Sequence, residues 1–401
     1  MVGKNNIILV VIAPNGLRNP ERGGGYMRFS RIQTHLENYF KIVLVDYRGF
    51  TGKAKIAELV FGFLTLIRKL KEIRKDRIDA VLVVNEFLID LALGYILASI
   101  LGVKLLIFMN NFPIESNVGF EEIKNLNKGL FSSIWYSMRI SRISRITLFL
   151  GVLAYYVMLI LLRNATIIPL TPYLIPRFKQ LGLKTIHISP GIGCNEPKLE
   201  NLHRWIDALY VASPLHPQKG LLDVLRVWSK VVEMNPKAKL VIAGRESQLF
   251  KLDELKEKIK DRNIKDNIVI ITRKNGLPNK IILKLMSQAK VFVYPSRRDM
   301  CPLVIGEALS RGTPVVTYDL PGIKFAYGSC EAVIKVPVGD INVMIAKVLE
   351  ILENPQLAER LRQAAMKWCK ANPWSKAACK EAKAYLLALK LSGTQARATW
   401  S

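Results

Sequence analysis

Apolar residues in this chain fall in short continuous runs, and stretches of helical character separate them. The runs are Ile7–Ala13, Lys41–Asp46, Ala80–Asn85, Lys104–Asn110, Thr166–Leu170 and Thr185–Ser189. After these come Ala208–Ala212, Ala238–Gly244, Ile268–Thr272, Val291–Tyr294, Pro314–Tyr318 and Ala332–Val336. A strand apolar along its whole length is covered on both faces, which is the condition of a parallel sheet between helices. Two series of six such strands predict two doubly wound α/β domains. The cluster Ser189-Pro190-Gly191-Ile192-Gly193 marks the break between them. This places a Rossmann-like domain at 1–190, a second at 191–365, and C-terminal helices and a tail at 366–401.

One segment departs from the pattern. From Lys124 to Asn195 there is no acidic residue, against nine Lys or Arg. Arg139, Arg142 and Arg145 recur at every third position, a spacing that gathers them on one side of a helix. The seventeen uncharged residues Ile146–Leu162 follow directly, about 25 Å of helix at ~1.5 Å per residue. That is short of the ~20 residues a spanning helix needs. The stretch 124–163 is therefore read as a membrane-associating segment, its apolar part sunk in the lipid interface and its arginines at anionic headgroups. A core helix of the first domain is the competing reading.

Composition narrows the classes. Half of the 401 residues are apolar and 23% are charged, so a large core is available and wholesale disorder is excluded. The 59 Lys and Arg against 32 Asp and Glu give +27, which suits nucleic acid, an anionic membrane face or phosphorylated substrates. No aromatic-interleaved basic patch or nucleic-acid module accompanies the charge, so nucleic acid is not expected as a partner. The five cysteines are odd in number and lack C-x-x-C spacing, and His35, His187 and His203 are scattered. Neither a disulfide framework nor a structural zinc site is expected. The N-terminal apolar run ends at Pro14-Asn15-Gly16 without a cleavage site, so it reads as a buried strand and turn of a cytoplasmic protein.

Two motifs carry candidate chemistry. Gly23, Gly24 and Gly25 follow the first strand and open a helical stretch, where backbone can approach an anion. Arg28 stands where the dinucleotide fingerprint needs its third glycine, which disfavours a nicotinamide cofactor. The second motif runs from Val291 to Val316 and reads strand, loop, short helix, turn, strand. Asp299 lies in its loop and Glu307 in its helix, so both carboxylates can face the strand mouth where doubly wound folds bind ligands. Pro302 suits the first helical turn and Gly312 the helix end. Cys301 sits between the carboxylates, where Cys-Pro reads as a shape element rather than a nucleophile.

This second motif resembles the signature of glycosyltransferase family 4, retaining enzymes of the GT-B fold whose carboxylates are spaced Glu-x7-Glu. Asp299 and Glu307 have that spacing. Leu240–Gly244 resembles the strand and glycine of the family's second domain, and Lys219-Gly220 its "KG" element. Thr171–Gly182 is similar to the helix before the interdomain crossing. Gly339-Asp340 is similar to the late "GD" turn, and Asn372-Pro373-Trp374 to the "fsW" element. The likeness is strongest over 205–375 and weak before 165.

The resemblance implies two domains facing a cleft, with C-terminal helices packing back across them. It implies transfer of a sugar, with retention, from a nucleotide-diphosphate donor, needing no cofactor or metal. By position, Glu307 binds the donor ribose, Asp299 lies near the donor sugar and Lys219 neutralises the diphosphate. Gly23, Gly24, Gly25, Gly244, Arg245, Cys301 and Leu303 complete the donor side. Asn110 and Asn111 stand on the acceptor side, where the family often has His. Together with the segment 124–163, this implies a membrane-linked acceptor, a polyprenyl-phosphate glycan or glycolipid, at the cytoplasmic face. Two departures leave alternatives open. Pro214 replaces the family's Arg five residues before the "KG" Lys, with Arg245, Arg297 or Arg298 as substitutes, and Asp299 is one methylene shorter than Glu. A catalytically silent protein binding a membrane or partner enzyme, and a sugar-nucleotide epimerase, are the alternative readings.

Overall fold

The computed structural model describes residues 7–12, 24–45, 64, 78–85, 88–110, 153, 157–198, 203–246, 252–260 and 262–390. The chain divides into two compact units, Met1–Gly191 with Trp374–Ser401, and Ile192–Pro373. All twelve apolar runs form strands, and every pairing between them is parallel.

In the first unit the strands are β1 (Ile8–Ile12), β2 (Lys41–Val45), β3 (Ala80–Val83), β4 (Lys104–Met109), β5 (Thr166–Pro169) and β6 (Lys184–Thr185). Their order is β2-β1-β3-β4-β5-β6. β3 is buried at every residue, as the run of four aliphatic side chains requires. The sixth strand covers only Lys184 and Thr185, so it overlaps the expected Thr185–Ser189 run at Thr185 alone, with the Ile186 N–H still donating to Ile167 O at 2.9 Å. Helices α1 (Gly24–Leu36), α2 (Leu88–Leu101) and α3 (Ile175–Gln180) accompany this sheet. Tyr26, Phe29, Ile32 and Leu36 lie on one side of α1 and are buried.

The second unit holds β7 (Ile206–Ala212), β8 (Leu240–Arg245), β9 (Ile268–Arg273), β10 (Ala289–Tyr294), β11 (Val315–Tyr318) and β12 (Val333–Val336). Its helices are α4 (Leu221–Met234), α5 (Leu252–Lys260), α6 (Asn279–Gln288), α7 (Leu303–Leu309), α8 (Pro321–Tyr327), α9 (Ile341–Glu353) and α10 (Pro355–Ala371). The strand order is β12-β11-β10-β7-β8-β9. The chain builds outward from β7 to β9, then returns to lay β10 on the other side of β7. This reversal is the topological switch point at which doubly wound sheets open a crevice. Asp340 of the Gly-Asp turn serves the fold, since its carboxylate accepts the Val343 N–H at 3.0 Å and caps α9.

Where no disulfide framework is expected, the structure holds a single disulfide bond. Cys194 and Cys369 are bonded, with Cα atoms 5.1 Å apart across a separation of 175 residues. Both are buried. Beside the bond, the Cys194 N–H donates to Asn372 O at 2.8 Å, and Cys194 bridges to Pro373 in β fashion. The two ends of the second unit thus lie side by side. A separation of that size leaves no spacing for the sequence to show.

The last helix, α11 (Trp374–Lys390), belongs to the first unit and packs on α1. Arg28 joins the two. A guanidinium nitrogen lies 2.5 Å from a Glu381 carboxylate oxygen, with both side chains almost fully buried. The Arg28 Nε donates to Gly191 O at 3.0 Å, and the guanidinium stacks 4.3 Å from the Phe108 ring centre. Tyr385 donates its hydroxyl to Glu381 one turn along. A buried charge is tolerated only when paired and hydrogen-bonded, and here each partner is.

These contacts carry two expectations for stability. Arg28→Ala strands the Glu381 carboxylate and is expected to cost about 3–5 kcal/mol in chemical denaturation. Reduction of Cys194–Cys369, or Cys369→Ser, releases a closed loop spanning 175 residues. On the chain-entropy model it lowers unfolding stability by up to about 5 kcal/mol, read as a fall in the denaturation midpoint of the second unit.

Candidate functional site

The switch point in the second unit lies between β7 and β10, which pair through Ala208–Val291 and Leu209–Phe292. Each strand delivers one half of the site from its C-terminal end. After β7 the chain passes Ser213-Pro214 and a short 3-10 turn, Pro217–Lys219, before α4 begins. Gly220 turns the chain with φ 83°, and a β-carbon there would stand 2.0 Å from Pro295 O. Only glycine satisfies both conditions, and this packs the Lys219 turn against the loop after β10.

The two predicted catalytic side chains meet there. Lys219 Nζ lies 2.6 Å from Asp299 Oδ2, although 80 residues separate them in sequence. Asp299 is held from two more directions. Tyr294, the last residue of β10, donates its hydroxyl to Oδ2 at 2.6 Å, and the Met300 N–H donates to Oδ1 at 3.1 Å. Burial, and then the Asp299 carboxylate, push the Tyr294 hydroxyl well above its usual range, so it stays protonated and a donor. Lys219 Nζ also donates to Arg298 O at 3.4 Å, and Tyr210 fixes the turn by donating to Lys219 O at 3.0 Å. His216 Nδ1 accepts the Gln218 N–H at 3.2 Å. Its pKa is lowered, first by burial and then by Lys219, which favours the neutral acceptor form.

Glu307 lies in α7 and is 5% exposed. Its Oε1 accepts from Asn279 Nδ2, at the start of α6, at 3.0 Å. The helix is anchored behind it by Tyr327, which donates to Pro302 O at 2.7 Å and accepts the Gly306 N–H at 3.0 Å. Cys301 is buried, 4.0 Å from Gly322 O, and Leu303 is the half-buried first residue of α7. Gly244, next to last in β8, has φ 148°, and a β-carbon there would meet Ala212 O at 1.9 Å, so this glycine serves close strand packing.

Among the proposed substitutes for the missing Arg at 214, Arg297 is committed elsewhere. Its Nε lies 2.7 Å from the buried Asp223 carboxylate, which also accepts the Tyr318 hydroxyl at 3.0 Å. Arg245 stands differently. Its carbonyl accepts the Leu215 N–H at 2.8 Å, its Nε donates to Ser213 Oγ at 3.3 Å, and it forms no ion pair among the described residues. That puts a cation beside the loop that carries Pro214.

In the first unit, Gly24 and Gly25 open α1, while Gly23 lies outside the described residues. Asn110 is buried at the end of β4 and donates through Nδ2 to Val84 O at 3.2 Å. Asn111 lies outside the described residues, as do Arg139, Arg142, Arg145 and most of the segment 124–163. Within its described part, Leu153, Val157, Ile160 and Leu161 are each about half exposed. No helix among the described residues is long and apolar enough to cross a membrane.

Sequence reasoning missed Tyr294 and Asn279. Tyr294 stood in the motif as a strand residue, and its position at the strand's C-terminal end was the available signal. Asn279 precedes Glu307 by 28 residues and had no signal in spacing. Gly220→Ala is expected to cost at least about 2 kcal/mol in denaturant titration, because it adds strain at positive φ to a backbone clash.

Comparison with known proteins bears on the fold and on the second unit. Residues 206–368 match the family model "Glycosyl transferases group 1". The glycogen synthase of Mycobacterium tuberculosis is 28% identical over 184 residues, 45% of this chain and 42% of that one. The GDP-mannose:cellobiosyl-diphosphopolyprenol alpha-mannosyltransferase of Xanthomonas oryzae is 32% identical over 104 residues, 26% of each chain. The chain thus spans less than half the length of these curated relatives. Among solved structures, the sucrose-phosphate synthase of Thermosynechococcus elongatus aligns with a TM-score of 0.70 at 15% identity, over 96% of this chain and all of that one. HepE of Anabaena, solved with UDP and glucose, aligns at 0.66 and 13% identity, over 95% of this chain and all of that one. The fold is therefore the two-unit GT-B fold, and the glycosyl transferase pattern occupies residues 206–368 of a second unit that runs from Ile192 to Pro373.

Proposed function

We propose that the protein is a retaining glycosyltransferase that moves a sugar from a nucleotide-diphosphate donor to a membrane-linked acceptor, a polyprenyl-phosphate glycan or a glycolipid. The observation that carries this reading is the meeting of Lys219 and Asp299 at the switch point, with Glu307 fixed by Asn279 in the next helix. Carboxylates accept the hydroxyls of a sugar or ribose, and a cation beside them takes a diphosphate. In this reading Glu307 holds the ribose, Asp299 faces the donor sugar, and Lys219 with Arg245 meets the charge that grows on the leaving diphosphate. Stabilising that charge with fixed cations needs no metal or cofactor. Retention is what the family resemblance implies.

The acceptor and the place of work come from the first unit. A stretch with nine basic and no acidic residues, with Leu153, Val157, Ile160 and Leu161 exposed along it, suits peripheral binding to an anionic cytoplasmic leaflet. The mannosyltransferase relative is named for a diphosphopolyprenol acceptor, which supports the same class. A silent, membrane-binding protein is the second reading. It is favoured by Pro214 and by the engagement of both Asp299 oxygens within the protein.

A thermal-shift screen against UDP-, GDP- and ADP-sugars tests the donor site. At ~100 times the Kd, a ligand that binds only the folded state adds about 2.7 kcal/mol. One nucleotide class is expected to raise Tm, and Glu307→Ala to abolish the rise. The same radiolabelled donor with membrane extract is expected to label a lipid fraction. Binding without transfer to any acceptor supports the silent reading instead.

A further inference from the structure

We infer that Asp299 sets the affinity of this site for a diphosphate by competing with it for Lys219. The inference rests on the reading that a nucleotide diphosphate binds here, and it gives Asp299 a role that the carboxylate signature by itself does not contain.

Both groups are already engaged within the protein. An ammonium has three N–H donors. Lys219 directs one at Asp299 Oδ2, 2.6 Å away, and another at Arg298 O, 3.4 Å away. An arriving diphosphate must therefore share the ammonium with a carboxylate. The carboxylate cannot step aside. Tyr294 holds Oδ2 at 2.6 Å and the Met300 N–H holds Oδ1 at 3.1 Å, and Tyr294 is buried at the end of a central strand. Asp299 is thus a fixed negative charge against which the ligand's own negative charge is brought. The Lys219 and Asp299 side chains are 31% and 15% exposed, so water screens this repulsion less than at an open surface.

Arg245 supplies the contrast. It pairs with no carboxylate among the described residues, so it attracts a diphosphate without an internal rival. Lys219 is thus a cation whose charge is offset, while Arg245, beside the Ser213-Pro214 loop, is one whose charge is not. Asp299 acts here through Lys219, as a positioning and charge-setting residue, in addition to any contact with the donor sugar.

The test is calorimetric titration of UDP, GDP and ADP into the full-length wild type, Asp299→Asn, Asp299→Ser, Lys219→Ala, the double variant Lys219→Ala with Asp299→Asn, and Arg245→Ala with and without Asp299→Asn. Asp299→Asn keeps the shape and removes the charge. It is expected to bind the preferred nucleotide about five- to tenfold more tightly, with Asp299→Ser moving in the same direction. Damage to folding does not tighten binding, so the sign of the change is itself diagnostic. The gain is expected to vanish when Lys219 is absent and to persist when Arg245 is absent. Wild-type binding that Asp299→Asn and Asp299→Ser leave equal or weaker overturns the inference alone. A gain that survives Lys219→Ala overturns the route through Lys219. Binding of no nucleotide by any of these proteins overturns both the inference and the donor-site reading beneath it.

Discussion

The ion pair between Lys219 and Asp299 exists because the strand order of the second sheet reverses between β7 and β10. Strands laid down far apart in sequence become neighbours there, and their C-terminal loops open on one spot. Parallel pairing fixes which ends meet. Gly220 then lets the Lys219 turn approach Pro295 closely, and Tyr294 aims its hydroxyl from the strand end at the same carboxylate.

The carboxylate at 299 is held from three sides. An Asp reaches less far than a Glu, and here it is gathered inward by a lysine, a tyrosine and a backbone N–H. The family pattern has a bidentate cation where this chain has Pro214. Arg245 stands beside that loop, tied to Ser213, while Arg297 is neutralised by Asp223. Of these two arginines, only Arg297 has its charge offset by a carboxylate among the described residues.

The first unit depends on a different constraint. Its last helix is joined to α1 by a buried charge cluster, Arg28 with Glu381 and Tyr385, rather than by apolar contact alone. Such a pair contributes little net stability, but it penalises any alternative seating of the helix, because an unpaired buried charge is costly. Arg28 also donates to the Gly191 carbonyl, at the residue where the first unit's chain ends before the crossing. The position that breaks the dinucleotide glycine fingerprint is therefore occupied by a structural cation.

The sequence by itself determined the twelve strands, their parallel character, the two sheets and the spacing of Asp299 and Glu307. These are properties of local apolar runs and short offsets, which a linear chain displays directly. It did not determine that Cys194 would bond Cys369, that Asn279 would hold Glu307, that Arg297 would be consumed by Asp223, or that Lys219 would lie against Asp299. Each of those pairings joins groups from separate elements. Their distances are set by strand order and helix packing, and no periodicity within either element encodes them. Only the assembled sheet, with its change of strand order at β7 and β10, decided which charges would neutralise one another.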